Sequence, residues 1–166
     1  MRPLTLKGHE RSITKVKYNR DGDLLFTAAK DKHPCVWFAE NGERLGSYDG
    51  HNGVIWCMDV SWDSGRLLTG SGDNMCIMWD VETGQKVHAL NSPIAVRTVG
   101  FSYSANLFFY GTDLRTSNPC TLNFFDVRDP DQMTDGHPQF SIQCPYPKSR
   151  ISSALWSHLD YMVITV

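Results

Sequence analysis

Between Val54 and Leu90 the chain passes through four short apolar stretches, VIWCMDV, RLLTGS, MCIMWD and KVHAL, separated by the turn-rich segments SWDSG, GDN and VETG. Short, partly alternating apolar runs bounded by Gly, Asp, Asn and Ser predict strands joined by tight turns, so this segment reads as four antiparallel strands. The preceding stretch follows the same template. Gly8-His9 recurs as Gly50-His51, Thr27 as Thr69, Asp31 as Asp73 and Trp37 as Trp79, all displaced by 42 residues without a gap. Repetition at such a period predicts one supersecondary unit copied along the chain.

A third unit aligns less closely. AVRTVGF (95 to 101) stands where VIWCMDV did, NLFFYGTD (106 to 113) supplies a second strand ending at Asp113, and TLNFFDV (121 to 127) a third. This unit lacks a Gly-His; Phe109 is expected at the threonine position and Phe125 at the tryptophan position, and LRTSNP (114 to 119) lengthens the loop after Asp113. A fourth unit starts at RISSALWS (150 to 157), turns at HLD (158 to 160) and opens a second strand in YMVITV (161 to 166). The chain therefore reads as all-β, with units at about 8–48, 50–90, 92–143 (degenerate) and 150–166 (truncated).

Composition narrows the function classes. With 41% hydrophobic and 20% charged residues, the 166-residue chain has the balance of a globular protein with a sizeable core. Sixteen basic and 18 acidic residues give a net charge of -2, too little to draw the chain onto nucleic acid or an anionic membrane. The densest basic spots, KVK (15 to 17), KDKH (30 to 33) and KSR (148 to 150), read as solvated faces. No apolar run reaches the roughly 20 residues of a membrane span, and the N-terminus lacks the apolar run of a signal peptide. Five cysteines (Cys35, Cys57, Cys76, Cys120, Cys144) without a CxxC pair argue against a disulfide framework and for a reducing compartment, the cytoplasm.

A repeat of about 40 to 45 residues with four strands, an early Gly-His and a late Trp-Asp resembles the WD40 β-propeller. Trp79-Asp80 is the full signature, while Trp37-Phe38 and Phe125-Asp126 each keep half. The resemblance implies a buried relay from Trp to Thr to His to Asp, with Trp37, Thr27, His9 and Asp31 in the first unit and Trp79, Thr69, His51 and Asp73 in the second. The residue types suit it. An indole N–H only donates, a hydroxyl and a neutral imidazole each accept and pass on a donor, and a carboxylate ends the chain. Thr69, His51 and Asp73 also have the types of a nucleophile, a base and its orienter. The catalytic reading is rejected, because the set occurs twice at one spacing and a tryptophan occupies the hydroxyl.

Other candidate sites fare no better. GSGDNM (70 to 75) joins strand to strand and lacks the helix N-terminus of a phosphate loop. His33 and Cys35 have no second pair at metal-ligand spacing, and no metal or cofactor is expected. FDVR (125 to 128) resembles a Trp-Asp-x-Arg that in some propellers engages a ubiquitin-ligase adaptor, which would make Asp126 and Arg128 contact residues. Phe125 breaks that pattern, and pairing of Arg128 with Asp126 or Asp129 is the simpler expectation.

Longer segments carry a closer resemblance. LKGHERSITKVKYNRDGDLLFTAAKD (6 to 31), NGERLGSYDGH (41 to 51), WDSGRLLTGSGDN (62 to 74) and FFDVRDP (124 to 130) resemble the family of subunit i of eukaryotic translation initiation factor 3, and the likeness covers nearly the whole chain. The resemblance implies a seven-bladed, non-catalytic scaffold. Its partners would be subunits b and g of the factor, in the assembly that works on the small ribosomal subunit, with no direct sequence-specific nucleic-acid binding. It further implies that the contact surface for subunit b lies on later blades; Arg11, Lys15, Asn52 and Trp56 lie near the strand ends where propellers usually bind partners, with a solvated loop as the default for each. The rival reading is another WD40 adaptor, such as serine-threonine kinase receptor-associated protein, acting in signalling or RNA-protein assembly. A seven-bladed ring needs about 300 residues, so this chain reads as an N-terminal half: a truncated chain, an incomplete coding sequence or a shortened isoform. PLTL (3 to 6) would complete the last blade beside absent strands, and the open edges would make the chain poorly behaved alone.

Overall fold

Within each sheet consecutive strands pair antiparallel in the computed structural model, which describes residues 3–115, 119–145, 150–157 and 160–166. The first sheet holds β1 (Ile13–Tyr18), β2 (Leu24–Ala29), β3 (Cys35–Phe38) and β4 (Arg44–Ser47), and the second β5 (Ile55–Val60), β6 (Arg66–Ser71), β7 (Met75–Asp80) and β8 (Lys86–Asn91). The third holds β9 (Val96–Phe101), β10 (Leu107–Thr112), β11 (Thr121–Asp126) and β12 (Phe140–Gln143), and the fourth only β13 (Ala154–Trp156) and β14 (Val163–Thr165). Spatial order follows chain order within every sheet.

The sheets stack face to face, so central strands must be apolar on both sides. β6 shows how. Leu67 points into the core shared with the first sheet, beside Phe26, Tyr48, Ile55 and Trp79, while its neighbour Leu68 points into the core shared with the third, beside Cys76, Val99, Phe108 and Phe125. The period-two alternation of a strand thus serves two interfaces at once. A third core, with Phe109, Cys120, Leu122, Phe124, Ile151 and Ala154, joins the third and fourth sheets. The leading strands β1, β5, β9 and β13 meet from sheet to sheet along the inside of this series. On the end sheets, Ile13, Val16 and Tyr18 of β1 and Leu155 and Ile164 of β13 and β14 are exposed.

Two expectations need correcting, and one element was not foreseen. Residues 3–6 form no strand; Leu6 instead lies against the β3–β4 turn at Gly42, because a strand exists only where a partner ladder is present. A six-residue helix, α1 (Pro130–Asp135), interrupts the third sheet between β11 and β12. Its signals were in the sequence: Asp129 caps it by accepting from the N–H groups of Asp131 and Gln132, Pro130 opens it, and Gly136 ends it at φ +71°. The second correction concerns register.

In the second sheet Thr69 lies opposite Met58 and Ile77. In the third, the residue held the same way, opposite Val99 and Asn123, is Tyr110 and not Phe109. Phe109 points the other way, into the core with the fourth sheet. The slip arises after the strand: the Asp113 N–H donates to Ala95 O at 2.8 Å as that of Gly72 donates to Val54 O at 2.8 Å, so Asp113 is the counterpart of Gly72, one residue earlier than Asp73. Counting back from the aspartate therefore lands on the wrong residue. Of the expected turn at HLD, His158 and Leu159 lie outside the described residues, as do residues 116–118 of LRTSNP and Lys148 and Ser149 of KSR.

Candidate functional site

The sheet registers bring all eight relay candidates together in two sets. In the second sheet, the Trp79 indole donates to Thr69 Oγ1 at 2.8 Å, Thr69 Oγ1 lies 2.8 Å from His51 Nε2, and His51 Nδ1 lies 2.9 Å from Asp73 Oδ2. In the first, the matching distances are 2.8 Å from Trp37 to Thr27, 2.6 Å from Thr27 to His9 and 2.7 Å from His9 to Asp31. Each aspartate also accepts a backbone N–H from the residue after the histidine, Glu10 at 3.2 Å and Asn52 at 2.8 Å. The loop before each sheet is thereby tied to the turn between its second and third strands.

Proton positions follow from the donor inventory. A carboxylate accepts only, so Nδ1 of each histidine carries a proton; in a neutral ring Nε2 then accepts from the threonine hydroxyl, whose oxygen accepts from the indole. Burial pushes the His51 pKa down against the opposing pull of Asp73, which favours the neutral ring. Burial would raise Asp73, but the Asn52 N–H and His51 outweigh it and hold the carboxyl below its ordinary value. Thr69 is fully buried, and its oxygen already meets an indole and an imidazole. Nothing in this arrangement leaves the hydroxyl facing a substrate.

The third sheet replaces the relay with stacked rings. Phe125 stands at the tryptophan position, opposite Phe108, with ring centroids 5.1 Å apart at 10°, and Tyr110 stacks on Phe125 at 5.4 Å and 24°. A phenyl ring has no donor to pass on, so the aspartate has no chain to end. Asp113 instead accepts from Arg97 Nε at 2.9 Å. Sequence reasoning passed over both Arg97 and the true place of Tyr110; the one-residue difference in loop length was the available signal.

The remaining candidates are placed as follows. Gly72 and Asn74 of GSGDNM form the turn between β6 and β7, Asn74 at φ +68°. His33 Nδ1 lies 2.7 Å from the Asp49 carboxylate, and the Cys35 thiol donates to His33 O at 3.6 Å. Arg128 donates from Nε at 2.9 Å and Nη2 at 2.6 Å to the two oxygens of Asp126, while Asp129 caps α1. Cys35, Cys57, Cys76 and Cys120 are buried, and burial pushes the Cys57 thiol up to about 12, far from a reactive thiolate.

Comparison with known proteins gives this geometry a family. The family profile described as EIF3I matches residues 1–166. Eukaryotic translation initiation factor 3 subunit I of Danio rerio is 51% identical over 164 residues, 99% of this chain and 50% of the relative. The Homo sapiens protein of the same name is 49% identical over 164 residues, again 99% of this chain and 50% of the relative. The chain spans about half the length of these curated relatives. Among solved structures, the WD40 repeats of RRP9 superpose with a TM-score of 0.75 at 19% identity, over 90% of this chain and 43% of that one. U3-55K does so with 0.76 at 19%, over 90% and 44%. At this identity the likeness speaks for the fold alone: the sheets are those of a WD40 β-propeller, here incomplete.

Proposed function

Because the chain belongs to the EIF3I family, we propose that it is a non-catalytic scaffold subunit of eukaryotic translation initiation factor 3, supporting assembly of initiation complexes on the small ribosomal subunit. Its partners on this reading are other subunits of the factor, b and g among them, and its compartment is the cytoplasm. The eight relay residues then serve to hold loops in place and not to turn over substrate. One observation carries the non-catalytic part: the Thr69 hydroxyl, the one group of nucleophile type in its relay, is buried and held between Trp79 and His51. An acyl-transfer site needs that oxygen exposed, beside a set of oxyanion donors.

The test is affinity purification of the tagged chain from eukaryotic cells, followed by mass spectrometry. Recovery of initiation-factor subunits with small-subunit ribosomal proteins is the expected result. Recovery of receptor kinases or splicing assemblies without them would overturn the reading in favour of a different adaptor.

A further inference from the structure

Each of the inner strands β1, β5 and β9 opens with a bulge, and the bulged residues are Thr14, Trp56 and Arg97. The ladders step from Ile13↔Ala29 to Lys15↔Ala28, from Ile55↔Ser71 to Cys57↔Gly70, and from Val96↔Thr112 to Thr98↔Gly111, skipping one residue each time. A bulge re-aims the side chain of the residue it leaves unpaired. Thr14 uses this to donate to Ile55 O at 2.7 Å, a link to the next sheet. Trp56 and Arg97 meet each other instead, with the guanidinium carbon 4.1 Å from the indole centroid.

Arg97 is therefore fixed from two sides, by the Trp56 ring and by Asp113 on its Nε. Arg150, from the segment before β13, brings its Nε to 3.8 Å from the other Asp113 oxygen, too long for a hydrogen bond. With Ile151 and Ser152 these groups line a hollow of about 240 Å³, and Trp56, Arg97 and Ser152 also line a larger, separate one along the inner strands. Two guanidinium groups against one carboxylate leave a net positive charge. Among the described residues, no protein acceptor takes the Nη donors of Arg97.

The geometry points to a phosphate-binding site at Arg97 and Arg150, shaped for a phosphorylated serine or threonine of a polypeptide partner. A guanidinium held over an aromatic ring presents its remaining N–H donors at low entropic cost, and the guanidinium fork matches the oxygens of a phosphoryl group bidentately. Phosphorylated side chains carry a charge of about -1.5 to -2 and three acceptor oxygens, which is what two guanidinium groups around one carboxylate call for. A nucleic acid fits less well: the Trp56 face that a base would stack on is taken by Arg97, and the chain at -2 has no extended basic field. The hollow is also smaller than the roughly 300–1,000 Å³ of sites that enclose a drug-sized ligand.

The test follows the arginine Nε–Hε signals in ¹H–¹⁵N spectra while the chain is titrated with a glycine-serine peptide bearing one phosphoserine. The same peptide unphosphorylated, the same peptide with glutamate in that place, and oligouridine are the comparison arms. Saturable shifts of Arg97 and Arg150 with the phosphopeptide are expected, weaker binding of the glutamate peptide, and affinity lowered about tenfold or more by Arg150→Gln, the loss of one charge-assisted contact. Arg150 is largely exposed, and an unchanged backbone amide spectrum of the variant establishes that the fold is kept. The proposal fails if the phosphopeptide gives no saturable shift, if Arg150→Gln binds it equally well, or if oligouridine binds the same signals more tightly. Neither result depends on whether initiation-factor subunits copurify with the chain.

Discussion

The Asp59 carboxylate accepts the backbone N–H of Phe101 at 2.7 Å, across the boundary between the second and third sheets. Its other oxygen takes the ammonium of Lys17 from the first sheet, so a single buried side chain ties three inner strands together. Asp59→Ala leaves the Phe101 N–H without a partner at a buried position and is expected to cost about 1–3 kcal/mol. Asp59→Asn keeps an acceptor and should cost less. Urea unfolding midpoints measure both, and equal losses would show that the bond to Phe101 contributes nothing.

Thr69→Ala removes the acceptor of the Trp79 indole and the partner of His51 at once. Two buried groups lose their bonds, so the expected loss is about 2–4 kcal/mol. Trp79→Phe copies what the third sheet does at Phe125 and leaves the Thr69–His51 bond in place; it should be the milder change. Reversal of that order in thermal or urea unfolding would show that ring packing, and not the relay, sets the stability of the sheet.

Acid should weaken the second sheet in two stages. Burial lowers the His51 pKa in the fold, so below the ordinary value of 6.5 the unfolded chain takes up a proton that the folded ring refuses, and stability falls with pH. Asp73 is held below 3.8, as is Asp31 in the first sheet, so the contribution of each is present above that value and is lost as pH falls further. Unfolding midpoints between pH 7.5 and pH 5 should decline in the parent chain and decline less in a His51→Gln variant. A flat profile in the parent would contradict the lowered His51 value.

Gly53 sits where a Cβ would come within 2.6 Å of the Asp73 backbone nitrogen. Backbone cannot yield as a flexible side chain can, so Gly53→Ala should push the Asp73 turn away from the His51 loop and cost about 1–3 kcal/mol. Gly46 on β4 has open space at the same point, and Gly46→Ala serves as the neutral control.

Arg128 holds the Asp126 carboxyl down at about 2 through two side-chain hydrogen bonds and its own backbone N–H. Arg128→Ala should let that pKa rise toward the usual carboxylate range and lower the unfolding midpoint near neutral pH only slightly, since Arg128 is exposed and the pair is screened by solvent. Carboxyl ¹³C titration of Asp126 reads the first effect. An unchanged pKa would show that the pair does not persist in solution.

Much of this molecule was legible from spacing alone. Gly-His, Thr, Asp and Trp recur at one interval because each relay needs the same four donors and acceptors at the same strand positions, and a fixed interval survives in the text of the chain. The third sheet was harder to read because its aromatic residues satisfy the core without satisfying the interval: Phe108, Phe109 and Tyr110 are three aromatic residues in a row, and only pairing with β9 and β11 separates Phe108 and Tyr110, which face the second sheet, from Phe109, which faces the fourth. The cluster at Trp56, Arg97 and Arg150 was invisible for another reason. Its members come from the second sheet, the third sheet and the segment before β13, and a stretch of sequence records no distance between them.

One residue fewer between a strand and its aspartate takes a negative charge out of a sealed circuit and sets it on an open rim. A protein assembled from near-copies can therefore give one copy a new chemical task by a slip in a connecting loop, while its neighbours go on keeping the shape.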